Sequence, residues 1–144
     1  MEVQRYYNNL FERIIDFIIE GFYLNVKVCD TEQNTKVSCH HNLTFLKDSW
    51  TISAQQEQFQ LKCITKIRTN PQYAFTYQNS RYLLYRDFLG STLRIQNVDT
   101  KKVMSEYKYL NLLPLRKVKL THYDDTIDLS ISLGLYLILS TKYP

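Results

Sequence analysis

The sequence predicts a mainly β fold with two helices: an antiparallel β-barrel or sandwich of about ten strands at roughly ten-residue spacing. Three observations carry this. Residues 22–122 fall into short runs in which apolar and polar side chains alternate, separated by polar turns. The chain has 12 Tyr and 7 Phe, whereas alanine occurs only at Ala54 and Ala74, a balance that favours strands over helices. Behind the strands, residues 126–140 read TIDLSISLGLYLILS and are far more apolar than anything before them. At 144 residues the chain is expected to be a single domain, 1–144, able to bury roughly two thirds of its unfolded surface without staples.

Taken in order, residues 4–20 form an amphipathic N-terminal helix. Tyr7, Leu10, Phe11, Ile14, Ile15, Ile18 and Ile19 recur at three- and four-residue spacing. Glu12, Arg13, Asp16 and Glu20 fall on the other side, and Gly21 can end the helix in the left-handed conformation. The wide apolar stripe is expected to pack on the rest of its own domain, with a partner groove or a membrane surface as the alternatives. The opposite face mixes signs without a Lys/Arg excess, which counts against a membrane-surface helix. Strands follow at 22–28, 36–40, 43–46, 49–53 and 58–67, with polar turns at 30–34, 47–48 and 54–57. Thr69-Asn70-Pro71 interrupts the chain, and strands resume at 73–77, 81–87, 93–95, 103–109 and 115–122.

The terminal segment 126–140 admits two readings. As a strand, Ile127, Leu129, Ile131, Leu133, Leu135, Leu137 and Leu139 alternate with Asp128, Ser130, Ser132, Gly134, Tyr136 and Ile138. As a helix, it is apolar nearly all round and must be buried all round. Leucine-rich content and few β-branched residues favour the helix, with Asp124-Asp125-Thr126 as its N-cap. The apolar run is short of the roughly 20 residues that cross a bilayer. No transmembrane span is expected.

The order of these pieces resembles the tubby C-terminal-like fold, shared by tubby proteins, phospholipid scramblases and the plant LURP-one-related proteins. The matching segments are SWTIS (49–53), PQYAFTYQNSRYLLYRDFLGSTLRIQN (71–97), KKVMSEYKYL (101–110) and TIDLSISLGLYLIL (126–139), together spanning about residues 22–140. The resemblance implies a strand barrel enclosing a hydrophobic C-terminal helix. It also implies a non-enzymatic role, such as binding phosphoinositides through basic residues on the barrel. Two departures stand out. The chain is shorter than most members, so the barrel can be incomplete. The helix at 4–20 is not a usual feature and can replace missing strands or close one barrel end.

The charge pattern gives the functional lead. The net charge is +4, but residues 1–60 carry a net −3 and residues 61–144 a net +7. A basic C-terminal half suits an anionic partner. Lys62, Lys66, Arg68, Arg86, Arg94, Lys117 and Lys119 are the candidate anion-binding residues, expected on the outer barrel face. Tyr73, Tyr77, Tyr82 and Tyr85 nearby either stack on bases or fill the fold. The expected partner is an anionic membrane surface or a partner protein. The alternatives are a nucleic-acid-directed effector of phage or mobile-element type, and an enzyme whose site is unrecognised.

Other chemistry is poorly supported. Cys29, Cys39 and Cys63 have no regular spacing, and Cys39 and Cys63 sit where buried apolar residues are expected, which fits a reducing compartment. Cys39 and His40, adjacent in a strand, point to opposite faces and do not share a metal site. Asp124, Asp125 and Asp128 could hold a cation, but a helix cap explains them more simply. The three glycines, Gly21, Gly90 and Gly134, make no phosphate loop, and no nucleophile triad is recognisable. No catalytic residue, cofactor or metal site is assigned. The N-terminus lacks a basic region followed by an apolar stretch, so no signal peptide is expected, and the location is expected to be cytoplasmic or peripheral to a membrane. Abundant Asn, Ile, Lys and Tyr suit an A/T-rich, bacterial-type source.

Overall fold

Ten strands follow one another in chain order across one antiparallel sheet, each paired with its sequence neighbours. The computed structural model describes residues 1–18, 24–42, 47–55, 57–65, 70–87, 92–110 and 118–142. The elements are β1 (Glu2–Arg5), α1 (Leu10–Ile18), β2 (Val26–Cys29), β3 (Thr35–Asn42), β4 (Ser49–Ala54), β5 (Glu57–Cys63), β6 (Tyr73–Tyr77), β7 (Ser80–Arg86), β8 (Thr92–Asn97), β9 (Val103–Tyr109), β10 (Val118–His122) and α2 (Leu129–Lys142). Strand direction alternates, so odd strands finish and even strands start at the same end of the sheet. That end carries α1 and is called the α1 end. The other carries tight turns such as Gln78-Asn79, whose φ angles of 47° and 60° match the twist of the flanking strands, and is called the hairpin end.

The alternation seen in the sequence sorts the side chains. Val26, Val28, Val37, Cys39, Trp50, Ile52, Phe59, Leu61, Tyr73, Phe75, Tyr77, Tyr82, Leu84, Leu93, Ile95 and Tyr107 all point inward and join one core. Aromatic contacts run through it. Phe75 stacks between Phe59 and Tyr82 at centroid distances of 5.4 and 5.2 Å, and Trp50 meets Tyr73 edge-on at 5.8 Å. Trp50 also donates its indole N–H to the Leu24 carbonyl at 3.1 Å, so the buried ring leaves no polar atom unpaired.

α2 fills the concave side of this sheet. It starts at the hairpin end, and its 14 residues span about 21 Å towards the α1 end. Ile131, Ser132, Gly134, Leu135, Tyr136, Ile138 and Leu139 are buried, so burial extends round most of the helix. Tyr136 stacks on Tyr107 of β9 at 4.5 Å and 7°, and the Ser132 and Ser105 hydroxyls lie 3.3 Å apart. On the other side Gly134 faces β2 and β3. A Cβ there would sit 3.1 Å from Cys39 Sγ and 3.5 Å from Val37, so a side chain at this position would require Cys39 to give way by a few tenths of an ångström. Of the two readings of residues 126–140, the helix is the one adopted.

Several expectations are corrected. The mainly β antiparallel fold with a buried C-terminal helix is the one adopted, but among the described residues β1 and β10 are the edges of the sheet and do not pair, so barrel or sandwich describes it only loosely. The helix expected at 4–20 is shorter, because residues 2–5 form strand β1 against β2. The α2 cap is Asp128, whose carboxylate accepts from Ser130 N at 2.7 Å; Asp124 instead closes a turn by accepting from Thr126 N at 2.9 Å. Cys63 is half-buried, whereas Cys29 and Cys39 are buried free thiols. The strand expected at 43–46 and the Gly21 helix stop lie outside the described residues.

Candidate anion-binding surface

Charge is distributed unevenly along the strand direction. Glu2, Asp30, Glu32, Glu57, Asp99, Asp124, Asp125 and Asp128 all belong to strand starts, turns or the α2 cap at the hairpin end. The cations there are largely engaged: Lys36 pairs with Asp30 at 3.1 Å, Arg81 with Asp99 at 2.5 Å and Lys102 with Asp124 at 2.5 Å. The Lys102 ammonium bonded to Asp124 holds that carboxyl well below the usual range.

At the α1 end the situation reverses. The acids there are turned inward or bonded. Glu12 and Asp16 are each only 7% exposed. Asp87 and Glu106 both clasp Arg94, the latter at 2.6 Å, and Tyr123 adds a hydrogen bond to Glu106 at 3.0 Å. The Arg94 hydrogen bond keeps the Glu106 carboxyl below its ordinary range. Among the described residues of β9 and β10, the fully exposed charges at this end are cationic. Lys108 of β9 lies directly opposite Lys119 of β10 and Thr92 of β8, and both lysines are exposed. Like charges directly opposite each other cost stability in a sheet. Among the described residues no carboxylate forms an ion pair with either lysine.

The seven predicted residues are therefore only partly brought together. Lys119 sits in this lysine pair. Lys62 is exposed on β5, beside a shallow outer groove of about 730 Å³ shared with Gln60, Ala74, Thr76 and Arg81. Five strand spacings separate Lys62 from β10, about 24 Å along the sheet. Arg94 is neutralised by its two carboxylates. Arg86 ends β7 on the Tyr82–Leu84 side and is half-buried. Lys66, Arg68 and Lys117 lie outside the described residues. Lys108 went unassigned from sequence because alternation gives its face but not its partner strand.

Of the two readings of the tyrosines, filling the fold is the one adopted. Tyr73, Tyr77 and Tyr82 are buried in the core, and Tyr85 is half-buried. Cys39, packed beneath Gly134, has its thiol pushed up to about 12 by burial, which makes it an inert core residue. His40 points the other way, to Asn8 at 3.0 Å. Among the described residues there is no group of three or more His, Cys, Asp or Glu side chains able to hold a metal ion, and no helix is long and apolar enough to cross a membrane.

α1 holds the largest departure from expectation. Asn9 caps it by accepting from Glu12 N at 2.8 Å. The Glu12 carboxylate accepts from Asn8 N at 2.9 Å, Asn8 Nδ2 at 3.0 Å and Asn25 Nδ2 at 3.0 Å. Asn25 is 1% exposed and accepts from His41 N at 2.8 Å, so it links the helix to β3. Asp16 accepts from Arg5 at 2.8 Å and from Tyr7 OH at 2.7 Å. The helix thus packs through its acidic face. Of the apolar stripe predicted to be buried, Leu10 is 70% exposed, Phe11 62% and Ile14 48%, and Tyr7 and Ile15 are half-buried; Phe17, which the stripe did not include, is 90% exposed.

The sequence pattern of the Tubby C-terminal like domain matches residues 1–143, the N-terminal strand and helix included. No curated protein and no solved structure matches the chain. The ten-stranded meander packed around an apolar terminal helix agrees with that match, and the chain belongs to the tubby C-terminal-like family.

Proposed function

We propose that this protein is a non-catalytic binding module that docks the α1 end of its outer sheet face onto an anionic membrane surface. The observation that carries the reading is the Lys108–Lys119 pair. Two exposed lysines sit directly opposite each other in the strand register, while Asp87 and Glu106 beside them are bonded to Arg94. An arrangement that costs the free protein stability is explained if phosphate headgroups sit between the two charges. Lys62 adds to the same end, and the acidic hairpin end would face away.

Cosedimentation with vesicles of phosphatidylcholine and phosphatidylglycerol tests this. The protein should bind, and binding should weaken with salt. Each lysine near an anionic surface contributes about 1 kcal/mol, so Lys108→Gln with Lys119→Gln should weaken binding roughly 30-fold. The same pair of changes should leave stability equal or raise it by about 0.2–0.5 kcal/mol, because repulsion is relieved. Binding to oligonucleotides but not to vesicles would replace this reading with the nucleic-acid one. Binding to neither would point to an acidic protein partner.

A further inference from the structure

α1 presents an amphipathic helix inside out. Its two carboxylates hold it to the sheet, and the side chains turned outward are Leu10, Phe11, Ile14 and Phe17, bordered by the exposed Arg13. Tyr7, Arg13 and Asp16 line the same surface as the apolar residues, in an open groove of about 720 Å³. We infer that this face inserts into the headgroup–acyl boundary of an anionic lipid bilayer, an inference that rests on the membrane-docking reading above.

Charge and area select this occupant. Among the described residues of α1, the acids are held in hydrogen bonds with the body, so the free face offers hydrocarbon and a cation, and the one carboxylate at its border, Asp16, is bonded to Arg5 and Tyr7. An interfacial helix needs that combination: apolar side chains for the boundary and a basic rim for anionic headgroups. The sequence alone hides it, because Glu12 and Asp16 count as surface charges until their partners are known. The area points the same way. The four exposed side chains present roughly 500 Å², a size characteristic of functional apolar patches. A stable pairing with a second copy needs about 800 Å² on each partner. Position agrees as well, since α1 sits at the end that carries Lys62, Lys108 and Lys119.

Two variants and one probe test the inference. Phe17→Trp places an indole reporter at the most exposed position, while the native Trp50 is buried and silent to lipid. On vesicles of phosphatidylcholine and phosphatidylglycerol, the reporter's emission should shift to the blue and be quenched by brominated acyl chains. Leu10→Ser with Phe17→Ser should lower vesicle binding at least tenfold in 1 M NaCl, where the screening length is about 3 Å and headgroup attraction is suppressed. Retained Trp50 emission shows that the variant is folded. If vesicles bind in a salt-sensitive manner while the emission of Phe17→Trp stays unshifted and unquenched, α1 does not insert, the inference is overturned and the docking reading stands. If no vesicle binds at any salt concentration, both fail. A dimer that becomes monomeric on Leu10→Ser and Phe17→Ser would assign the face to a second copy and also overturn the inference.

Discussion

Gly134 is the residue on which the packing of the interior turns. Its missing side chain lets α2 approach β2 and β3, with Cys39 Sγ only 3.1 Å from where a Cβ would be. Gly134→Leu should therefore destabilise the protein by about 3 kcal/mol or more in chemical denaturation, as overpacking does in dense cores. Adding Cys39→Ala should recover part of the loss, because it removes the atom met first. If Gly134→Leu unfolds at the same denaturant concentration as the parent, the close approach is not limiting. Gly134 was visible in the sequence as a small residue in an apolar run. Its partner Cys39 was not, since nearly a hundred residues separate them and only the packing of α2 on β2 and β3 brings them together.

At the scale of elements, strands were legible and edges were not. Side-chain alternation marked β2 to β9 because each buries one face, and β10 more weakly, with only Leu120 packed partly against the core. β1 escaped because EVQR offers only Val3 as an apolar residue, and the helical stripe that follows seemed to extend back over it. For α1, periodicity identified two faces correctly but could not say which one meets the sheet. The answer depended on Asn25 and Asn8 supplying donors to Glu12. This yields a contrast opposite to that of an ordinary amphipathic helix. Glu12→Ala, which strands a buried Asn25 amide, should cost about 2 kcal/mol in thermal or urea unfolding. Phe17→Ser should change stability by no more than about 0.5 kcal/mol. Equal losses from both changes would mean that the apolar face packs on the body after all. The lysine pair follows the same lesson: alternation put Lys119 on the outer face, but its opposition to Lys108 depends on the β9–β10 register.

For the molecule as a whole, bonded carboxylates at both ends set the response to acid. Glu106, bonded to Arg94, and Asp124, bonded to Lys102, both have folded-state pKa values below their unfolded ones. Their stabilisation is complete above the unfolded carboxylate range and is lost as pH falls through the lowered values. The melting temperature should accordingly hold from neutral pH to about 5 and decline below about 4. Arg94→Met should remove the Glu106 part, about 1 kcal/mol at neutral pH, and flatten that decline. A melting temperature that does not fall below about pH 4, or falls equally in Arg94→Met, would contradict the assignment. The order of the chain also has a consequence for biosynthesis. α2, the element around which the sheet curves, follows all ten strands. During translation the strands emerge with their apolar inner faces bare and nothing to close upon. Folding must then wait until the helix has left the ribosome, and until that moment the nascent strands are a natural client for chaperones that shield exposed hydrocarbon.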